Sequence, residues 1–462
     1  MDDATYRIEK DSIGEIYVPS SVYWGAQTQR AIQNFKFSPY KMPEAIIKSI
    51  ALIKYAAAHA NEELGLIFEE YAKFIKLAAE EIMYSPKMSN FPVDVFQTGS
   101  GTSTNMNVNE VISTRANELM TGKISTTFPI HPNDHVNKCQ SSNDVIPSAI
   151  RIATVIEIET NLLPKLNILK ESISEKAHQL RNIIKTGRTH LMDAMPISFS
   201  QELSGWEKQI EYSIDRVKST YPRLLELPLG GTAVGTGVNA HPEFAKRVIE
   251  IISKESGIQF KIASNRFEAQ SSIDVASEVS GALKTLAASL MKISNDIRLM
   301  NSGPLSGMGE ITIPALQPGS SIMPAKVNPV IPEAVRMAAA RVIGNDTTIT
   351  ISCSLGEFEL NTMLPIIGFS LIESITLMAN SSYLLAKKVI SGIRVNQEKV
   401  KKILEQNPIL ATVLSPIIGY DQSAKLIKKA IEENKTIREV LKETKVIPED
   451  KIDEYIDFNK MI

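Results

Sequence analysis

The sequence predicts an all-α protein built around a bundle of long helices. Three observations support this fold class. Apolar residues recur at helical spacing along most of the chain, strand signals are few, and the central part holds five very long helix-compatible segments. Such helices cannot each bury a full face inside one small globule, so we expect an elongated bundle that also packs against other subunits.

The first part of the chain predicts two helices and a polar loop. Apolar residues from Ile46 to Ala57 recur at spacings of four, three and four, after a proline suited to a first helical turn. A second helix is expected from Glu69 to Met83. From Gln97 to Asn109 the chain is rich in Gly, Ser, Thr and Asn, which predicts a loop that leads into a helix near Val111. GEIYVP, near the start, is the clearest strand signal.

The five long segments and a charged tail complete the expected organisation. Short strands are expected between Leu227 and Val238, and a small helical domain is expected from about Val395. The long helices are predicted over Asp144 to Lys185 with a kink at Pro164, Ile197 to Glu226, Phe267 to Met300, Val330 to Ser354 and Glu357 to Val389. The predicted domains are 1–139, mostly helical; 140–394, the long-helix bundle; and 395–462.

The composition indicates a globular protein without a bulk signal for nucleic acid or membranes. The 462 residues exceed the size, roughly 250–300 residues, at which one core stops growing. Apolar residues make up 43%, and the net charge is −2. The acidic N-terminus lacks a secretory pattern, and Lys, Glu, Ser or Asn interrupt the apolar stretches before membrane-spanning length. With only Cys139 and Cys353, a reduced cytoplasmic compartment is expected.

Four polar segments between the helices are candidates for chemistry. They are too polar for a core and too distinctive for linkers. His131 and His135 are four residues apart, but Pro132 lies between them without an acidic partner pattern, so loop histidines are favoured over a metal site. LGGTAVGTG, from Leu229 to Gly237, lacks the ending of a phosphate loop and predicts a tight turn or short hairpin. The four segments are QTGSGTSTNMNVNE (97–110), HPNDHVNKCQSSND (131–144), GRTHLMDAMP (187–196) and GSSIMPAKVNP (319–329).

Two side chains in these segments are candidates for acid–base chemistry. His190 follows Arg188 and Thr189 at the predicted start of a long helix, and this polar cluster is consistent with either a catalytic or a structural histidine. Ser320 lies in a Gly-containing loop near Lys326. A serine becomes a usable base if cations and backbone N–H groups stabilise its alkoxide, and the alternative is a surface loop with a helix-capping serine.

Together the four segments resemble the signature regions of the fumarase/aspartase superfamily, whose hallmark is a GSSxMPxKxNP loop. The resemblance extends from IGEIYVPSSVYWGAQTQRA near the start to SPIIGYDQSA near Tyr420. It implies a three-part all-α lyase whose homotetramer has a core of about twenty helices, with each active site built by three subunits. It also implies a small dicarboxylate substrate, no cofactor and no metal.

The resemblance implies that a base removes a proton beside a carboxylate, an aci-carboxylate carbanion forms, and a group leaves the neighbouring carbon. Two activities remain open. GRTHLMDA, TGSGTSTNMN and LGGTAVGTGVNAHPE resemble fumarases and favour the hydration of fumarate to (S)-malate. PAKVNPV, with Ala325 and Val330, resembles aspartases and hints at ammonia release from aspartate. A non-catalytic structural relative is less favoured, because the candidate base, cation and histidine are all present.

Individual roles follow from the resemblance alone. Ser320 is implied to be the base, and His190, paired with Glu333, the acid for the departing hydroxide; in the alternative, a water held by His190 is the base. Lys326 and Asn328 would polarise the carboxylate that accepts the charge. The other implied substrate-binding residues are Ser100, Thr102, Ser141, Ser142, Asn143 and Thr189.

A second dicarboxylate site is implied outside the catalytic one. His131, Asn133 and Asp134, in the HPND segment, match its core. The arginine that the family places three residues before this histidine is Phe128 here. The loss of that cation predicts weaker anion binding.

Overall fold

The computed structural model describes residues 6–462, and their structure confirms the all-α fold class. The strands within this range form only two-stranded sheets: β1–β2, β3–β4, β8–β9 and β7–β10 are antiparallel and β5–β6 is parallel. In chain order the elements are β1 (Tyr6–Asp11), β2 (Gly14–Pro19), α1 (Ala26–Asn34), α2 (Glu44–Glu63), α3 (Glu69–Tyr84), α4 (Thr102–Thr121), α5 (Ser142–Glu157), α6 (Leu163–Gln179), β3 (Ile184–Thr189), β4 (Met192–Ser198), α7 (Phe199–Lys218), α8 (Tyr221–Leu224), β5 (Glu226–Leu227), α9 (Phe244–Ser256), β6 (Lys261–Ile262), α10 (Arg266–Ser271), α11 (Asp274–Met300), β7 (Ile311–Thr312), α12 (Val330–Cys353), β8 (Gly356–Glu357), β9 (Leu360–Asn361), α13 (Leu364–Lys388), β10 (Arg394–Val395), α14 (Gln397–Gln406), α15 (Ser415–Ile418), α16 (Tyr420–Glu433), α17 (Ile437–Thr444) and α18 (Ile452–Tyr455).

The predicted long helices are present, with some changes at their ends. α2, α3, α11 and α12 lie close to their predicted ranges. The kink expected at Pro164 is a π turn at Ile158–Leu162, immediately before it. Because Pro164 has no N–H to donate, the helix realigns there, and the N–H of Leu163 donates to the carbonyl oxygen of Ile158.

Five predicted boundaries were wrong. α4 begins at Thr102, well before Val111. Its start was predicted too late because its buried face is polar, and helical periodicity of apolar residues does not detect such a face. The helix expected to reach Lys185 ends at Gln179, and GRTHLMDAMP contains the turn of the β3–β4 hairpin and strand residues on both sides of it instead of a helix start. The last long helix begins at Leu364, after a short hairpin, and strand structure near Leu227 ends at that residue.

The chain divides into two compact units. The first comprises the chain up to Pro164 with Asp215–Thr285 and Ala340–Ala379, and the second comprises Lys165–Ile214, Leu286–Ala339 and Asn380–Ile462. In the first, α2 buries most of its surface against α3, α5 and α9. In the second, the C-terminal helices enclose a separate apolar cluster that includes Leu414, Leu426 and Leu441. The three-domain division at residues 139 and 394 stays a prediction.

One described segment, Leu364–Gly392, is long and apolar enough by length and composition to cross a membrane. However, 67% of its most apolar window is buried within the protein, as in a core helix. We therefore interpret it as part of the protein core.

Candidate active site

In the first unit, two helix N-termini lie side by side and carry the predicted binding residues. Gly101, at φ 73°, precedes α4, and there Ser100 Oγ lies 2.8 Å from Thr102 Oγ1. Ser141 caps α5, and Asn105 Nδ2 in α4 donates to Ser142 Oγ in α5 at 3.0 Å. Because unpaired N–H groups and the positive end of the helix dipole meet at an N-terminus, this arrangement suits a carboxylate.

A buried acid fixes the loop beside these helix ends. Asp144, which is 0% exposed, accepts from the backbone N–H of Ser141 through Oδ1. Its Oδ2 accepts from the N–H groups of Gly230 and Thr232 at 3.0 and 2.9 Å. Burial raises the pKa of Asp144 to about 6, although these donors oppose the shift. The segment predicted as a tight turn is thereby held against the start of α5.

Asn143 contacts the same loop. Its Nδ2 donates to the carbonyl oxygen of Ala233 at 2.8 Å, which orients the side chain. Ser141, Ser142 and Asn143 follow one another at the start of α5. The first turn of α5 therefore presents three polar side chains, as a substrate-binding element requires.

A buried lysine that was not among the predicted site residues lies next to these groups. Lys54 of α2 is 0% exposed, and its Nζ donates to Asn137 Oδ1 at 2.7 Å and to Gln140 Oε1 at 2.9 Å. Asn137 Oδ1 also accepts from Asn105 Nδ2 at 3.3 Å. Burial lowers the pKa of Lys54 to about 7. The available signal was a lysine inside the apolar run IALIKYAAA, which helical periodicity alone does not explain.

In the second unit, the β3–β4 hairpin presents Thr189 and His190 to solvent. Thr189 pairs with Met192, and the two residues between them, His190 and Leu191, have φ of 56° and 61°. Positive φ at both positions is typical of a two-residue hairpin turn with twist that matches its strands. The imidazole is therefore exposed at a tight tip and not at the start of α7.

A buried ion-pair cluster anchors this hairpin. Glu310, which is 1% exposed, pairs with Lys185 Nζ at 2.9 Å and with Arg188 Nη2 at 2.7 Å. Lys185 also pairs with Glu202 at 3.0 Å. Because Lys185 and Arg188 both belong to β3, Glu310 restrains the strand that ends at Thr189. This acid was not predicted from the sequence, since no local pattern indicates its partners.

The two ends of the loop from Gly319 to Pro329 are in contact with each other. Asn328 Nδ2 donates to the carbonyl oxygen of Gly319, and a Cβ at Gly319 would lie 2.1 Å from the carbonyl oxygen of Lys326. Ser320 Oγ accepts from the backbone N–H groups of Ile322 at 3.3 Å and of Met323 at 3.0 Å. These two donors would stabilise an alkoxide at Ser320, as the base hypothesis requires.

The remaining residues of this segment lie nearby. Lys326 is exposed, and Ala325 before it has φ 64°, in the left-handed region. Glu333 lies in the first turn of α12, where its charge is favourable to the helix dipole. Within residues 6–462, no hydrogen bond joins Glu333 to His190, so their pairing stays a prediction.

The predicted second site forms a compact turn. His131 Nδ1 accepts from the backbone N–H groups of Asn133 and Asp134, both at 3.2 Å. The backbone N–H of His131 donates to His135 Nδ1 at 2.8 Å. Phe128 is exposed, so no arginine faces this turn from that position.

The predicted site residues are divided between the two units. Ser100, Thr102 and Ser141 to Asn143 lie in the first unit, whereas the hairpin tip, the Ser320 loop and Glu333 lie in the second. Over the described range, no group of three or more His, Cys, Asp or Glu residues could hold a metal ion.

Comparisons with known proteins show similarity to two family models, two relatives and one solved structure. The lyase family model matches residues 14–344, and the model of the fumarase C C-terminus matches residues 410–462. A class II fumarate hydratase of Xylella fastidiosa is 52% identical over 94% of this chain and 91% of its own, and a second from Pseudomonas aeruginosa is 48% identical over 98% of both chains. The crystal structure of a class II fumarase from Schistosoma mansoni superposes with a TM-score of 0.96 at 39% identity, over 99% of both chains.

Proposed function

The chain belongs to the lyase family of the class II fumarate hydratases, and we propose that Ser320 and His190 carry out its reaction, the reversible addition of water to fumarate that gives (S)-malate. The observation that supports Ser320 most directly is the pair of backbone N–H groups directed at its hydroxyl oxygen. A serine anion is otherwise too poorly stabilised to act as a base.

In the malate-to-fumarate direction, Ser320 Oγ takes the proton from C3 of malate. The electron pair of that C–H bond moves into the adjacent carboxylate, which becomes an aci-carboxylate dianion. Lys326 and Asn328 follow Ser320 in the same loop and would stabilise the added charge. Lys326 is exposed in the isolated chain, so it is available to a substrate that enters from outside this loop.

His190 then gives a proton to the hydroxyl group at C2, directly or through a water, and water leaves as the double bond forms. Glu333 would pair with His190 and raise its basicity, and Thr189 would contact the same side of the substrate. The tight turn at the end of β3 supports this role, because it fixes the position of the His190 backbone, which carries the imidazole.

The N-termini of α4 and α5 would hold a substrate carboxylate and the hydroxyl group. Ser100, Thr102, Ser141, Ser142 and Asn143 supply hydroxyl and amide groups there, and the helix dipoles supply positive potential. No step in this scheme uses a cofactor.

The second candidate function is aspartate ammonia-lyase, which Ala325 and Val330 favour through the PAKVNPV segment. The two activities are separated by following the ultraviolet absorbance of fumarate with malate and then with aspartate as the substrate. We expect malate to be turned over and aspartate to be inert. Turnover of aspartate without turnover of malate would contradict the assignment.

We also propose a cytoplasmic homotetramer that binds neither nucleic acid nor membranes. Apolar side chains on the long helices support self-association, since Met337 and Ile351 of α12 and Tyr383 of α13 are exposed in the isolated chain. Each active site would then combine segments from three subunits. Light scattering tests this state, and a stable monomer with full activity would refute it.

We also propose a second dicarboxylate site at His131, Asn133 and Asp134, with weak affinity for anions. The exposed Asp134 carboxylate lies 3.3 Å from His131 Nδ1 and would repel an anion. We expect dicarboxylate inhibition or activation at this turn to be weak. Titration of a His131→Ala variant with malate measures it.

A further inference from the structure

Lys54 is a buried cation with no role in the mechanism above. Its ammonium group is bound only by the side-chain amide oxygens of Asn137 and Gln140, and in the described chain it forms no ion pair. The charge of Asp144 acts on it from a greater distance. Burial of an ammonium without a direct counter-ion is unfavourable. If Lys54 is charged when the substrate binds, a nearby negative charge must compensate it.

Hydrogen bonds connect Lys54 to the proposed carboxylate subsite. Lys54 Nζ donates to Asn137 Oδ1, the same oxygen accepts from Asn105 Nδ2, and that amide also donates to Ser142 Oγ. The three links measure 2.7, 3.3 and 3.0 Å. Asn105 and Ser142 belong to the two helices whose N-termini form the subsite. The path therefore ends on a hydroxyl that the proposed function assigns to the substrate.

We propose that Lys54 is a positioning residue for substrate binding: it supplies positive charge to the carboxylate subsite and orients Ser142 through Asn137 and Asn105. The inference rests on the proposed function, because the subsite is defined by the substrate. A substrate carboxylate at the subsite would supply the nearby negative charge that Lys54 lacks as a direct partner in the described chain. Because the carboxylate at this subsite keeps its charge throughout the reaction, Lys54 stabilises the bound substrate and the transition state equally.

A purely structural role for Lys54 makes a different prediction. If the lysine only joins α2 to the segment 137–140, its loss lowers the amount of folded enzyme. The apparent kcat then falls with the folded fraction, and KM does not change. If Lys54 contributes charge to the subsite, KM rises while kcat per folded site is retained.

The experiment compares Lys54→Met with Lys48→Met in the full-length protein at a pH below 7, where Lys54 carries its charge. Lys48 lies on the same helix and pairs with Glu44 on the surface at 2.6 Å. For Lys54→Met we expect the KM for malate to rise about ten-fold with kcat within about two-fold of the unmodified protein. We expect no change for Lys48→Met. Calorimetry with succinate, which cannot react, should show the same loss of affinity.

Asn105→Ala provides a second test that leaves Lys54 in place. It cuts the path between Asn137 and Ser142, and it should also raise KM. Combined with Lys54→Met, its effect should be less than additive, since both changes interrupt one path. A KM within about two-fold of the unmodified value in folded Lys54→Met overturns the proposal. If Lys54→Met does not fold, an unchanged KM in Asn105→Ala overturns the proposal.

Failure of the proposed function gives a different result. If the unmodified protein turns over aspartate and not malate, the hydratase assignment fails. The Lys54 comparison is then made with aspartate, which has two carboxylates that need the same subsite.

Discussion

Ser320 Oγ accepts a hydrogen bond from the backbone N–H of Met323 at 3.0 Å, so the candidate base is held by its own loop. The same loop is closed at its ends by the contact between Asn328 and Gly319. The stabilisation of a serine anion therefore depends on the closed conformation of this segment. A change in loop geometry should affect catalysis even where it leaves the hydroxyl in place.

Replacement of Ser320 should nearly abolish turnover. Ser320→Ala removes the base, and general-base catalysis contributes about 10²–10⁴-fold to kcat. Ser321→Ala is the matched control, because Ser321 is the exposed neighbour in the same loop. Steady-state kinetics and circular dichroism measure activity and folding. Retention of more than about a tenth of kcat in Ser320→Ala would exclude this residue as the base.

Replacement of His190 should slow hydration without loss of the fold. His190→Asn removes the acid for the departing hydroxide, and we expect kcat to fall by about 10²-fold or more. His178→Asn, at an exposed histidine of α6, is expected to be neutral. Rates are measured from fumarate and from malate, since the same group must act in both directions. A variant with normal rates would remove His190 from the chemistry.

The backbone of Ala325 provides a test of loop geometry. At φ 64° an L-residue is strained by about 1–2 kcal/mol, and a β-branched side chain is strained more than alanine. Ala325→Val should therefore disturb the closed loop and lower kcat while the global fold remains. Hydrogen exchange of the amides in 319–329 should increase. Ala315→Val, outside the loop, is the control, and equal effects of the two changes would argue against this explanation.

Lys54 should make stability depend on pH above neutrality. Its pKa is about 7 in the folded protein and ordinarily 10.5, so the unfolded chain binds more protons between these values. The free energy of unfolding should therefore rise with pH across this window, by up to about 1.4 kcal/mol per unit from this group. Asp144, with a pKa of about 6, affects the pH dependence of stability below this pH range. Denaturant unfolding of Lys54→Met should lack this rise, whereas Lys48→Met should retain it.

Loss of Glu310 should destabilise the hairpin that carries His190. Glu310→Gln leaves Arg188 and Lys185 without their buried partner, and we expect a loss of about 3 kcal/mol, since Lys185 keeps Glu202. The melting temperature and kcat should both fall. Glu398→Gln, at an exposed acid in α14, is the control. Unchanged stability of Glu310→Gln would show that the cluster does not anchor β3.

Much of the helical framework could be predicted because its apolar period is regular. α11 and α12 are long and follow that period, so their ranges were close. α4 was placed too late because Asn105, Asn107 and Asn109 are buried in it, and polar side chains normally indicate a loop. The hydrogen bonds from Asn105 to Ser142 and from Asn107 to the carbonyl oxygen of Asn90 join residues distant in sequence, which no local pattern reveals.

The site could be predicted as a set of segments but not as a geometry. The Ser320 segment was identified from its residues, whereas the donation of two backbone N–H groups to its hydroxyl depends on how the loop folds. The hairpin at His190 was missed because its turn lacks the Asn-Gly or Asp-Gly pair that usually marks such turns. Lys54 and Glu310 were missed because their importance comes from burial.

The turn of the β3–β4 hairpin places His190 and Leu191 in a backbone conformation that few side chains accept easily. Asparagine and glycine tolerate it, but valine, isoleucine and threonine do not. A saturation library at position 190 would thus rank variants by two criteria at once, proton transfer and compatibility with the turn. Only the asparagine and glycine members would report the chemistry alone, and inactive β-branched members would overstate how much of the rate the imidazole supplies.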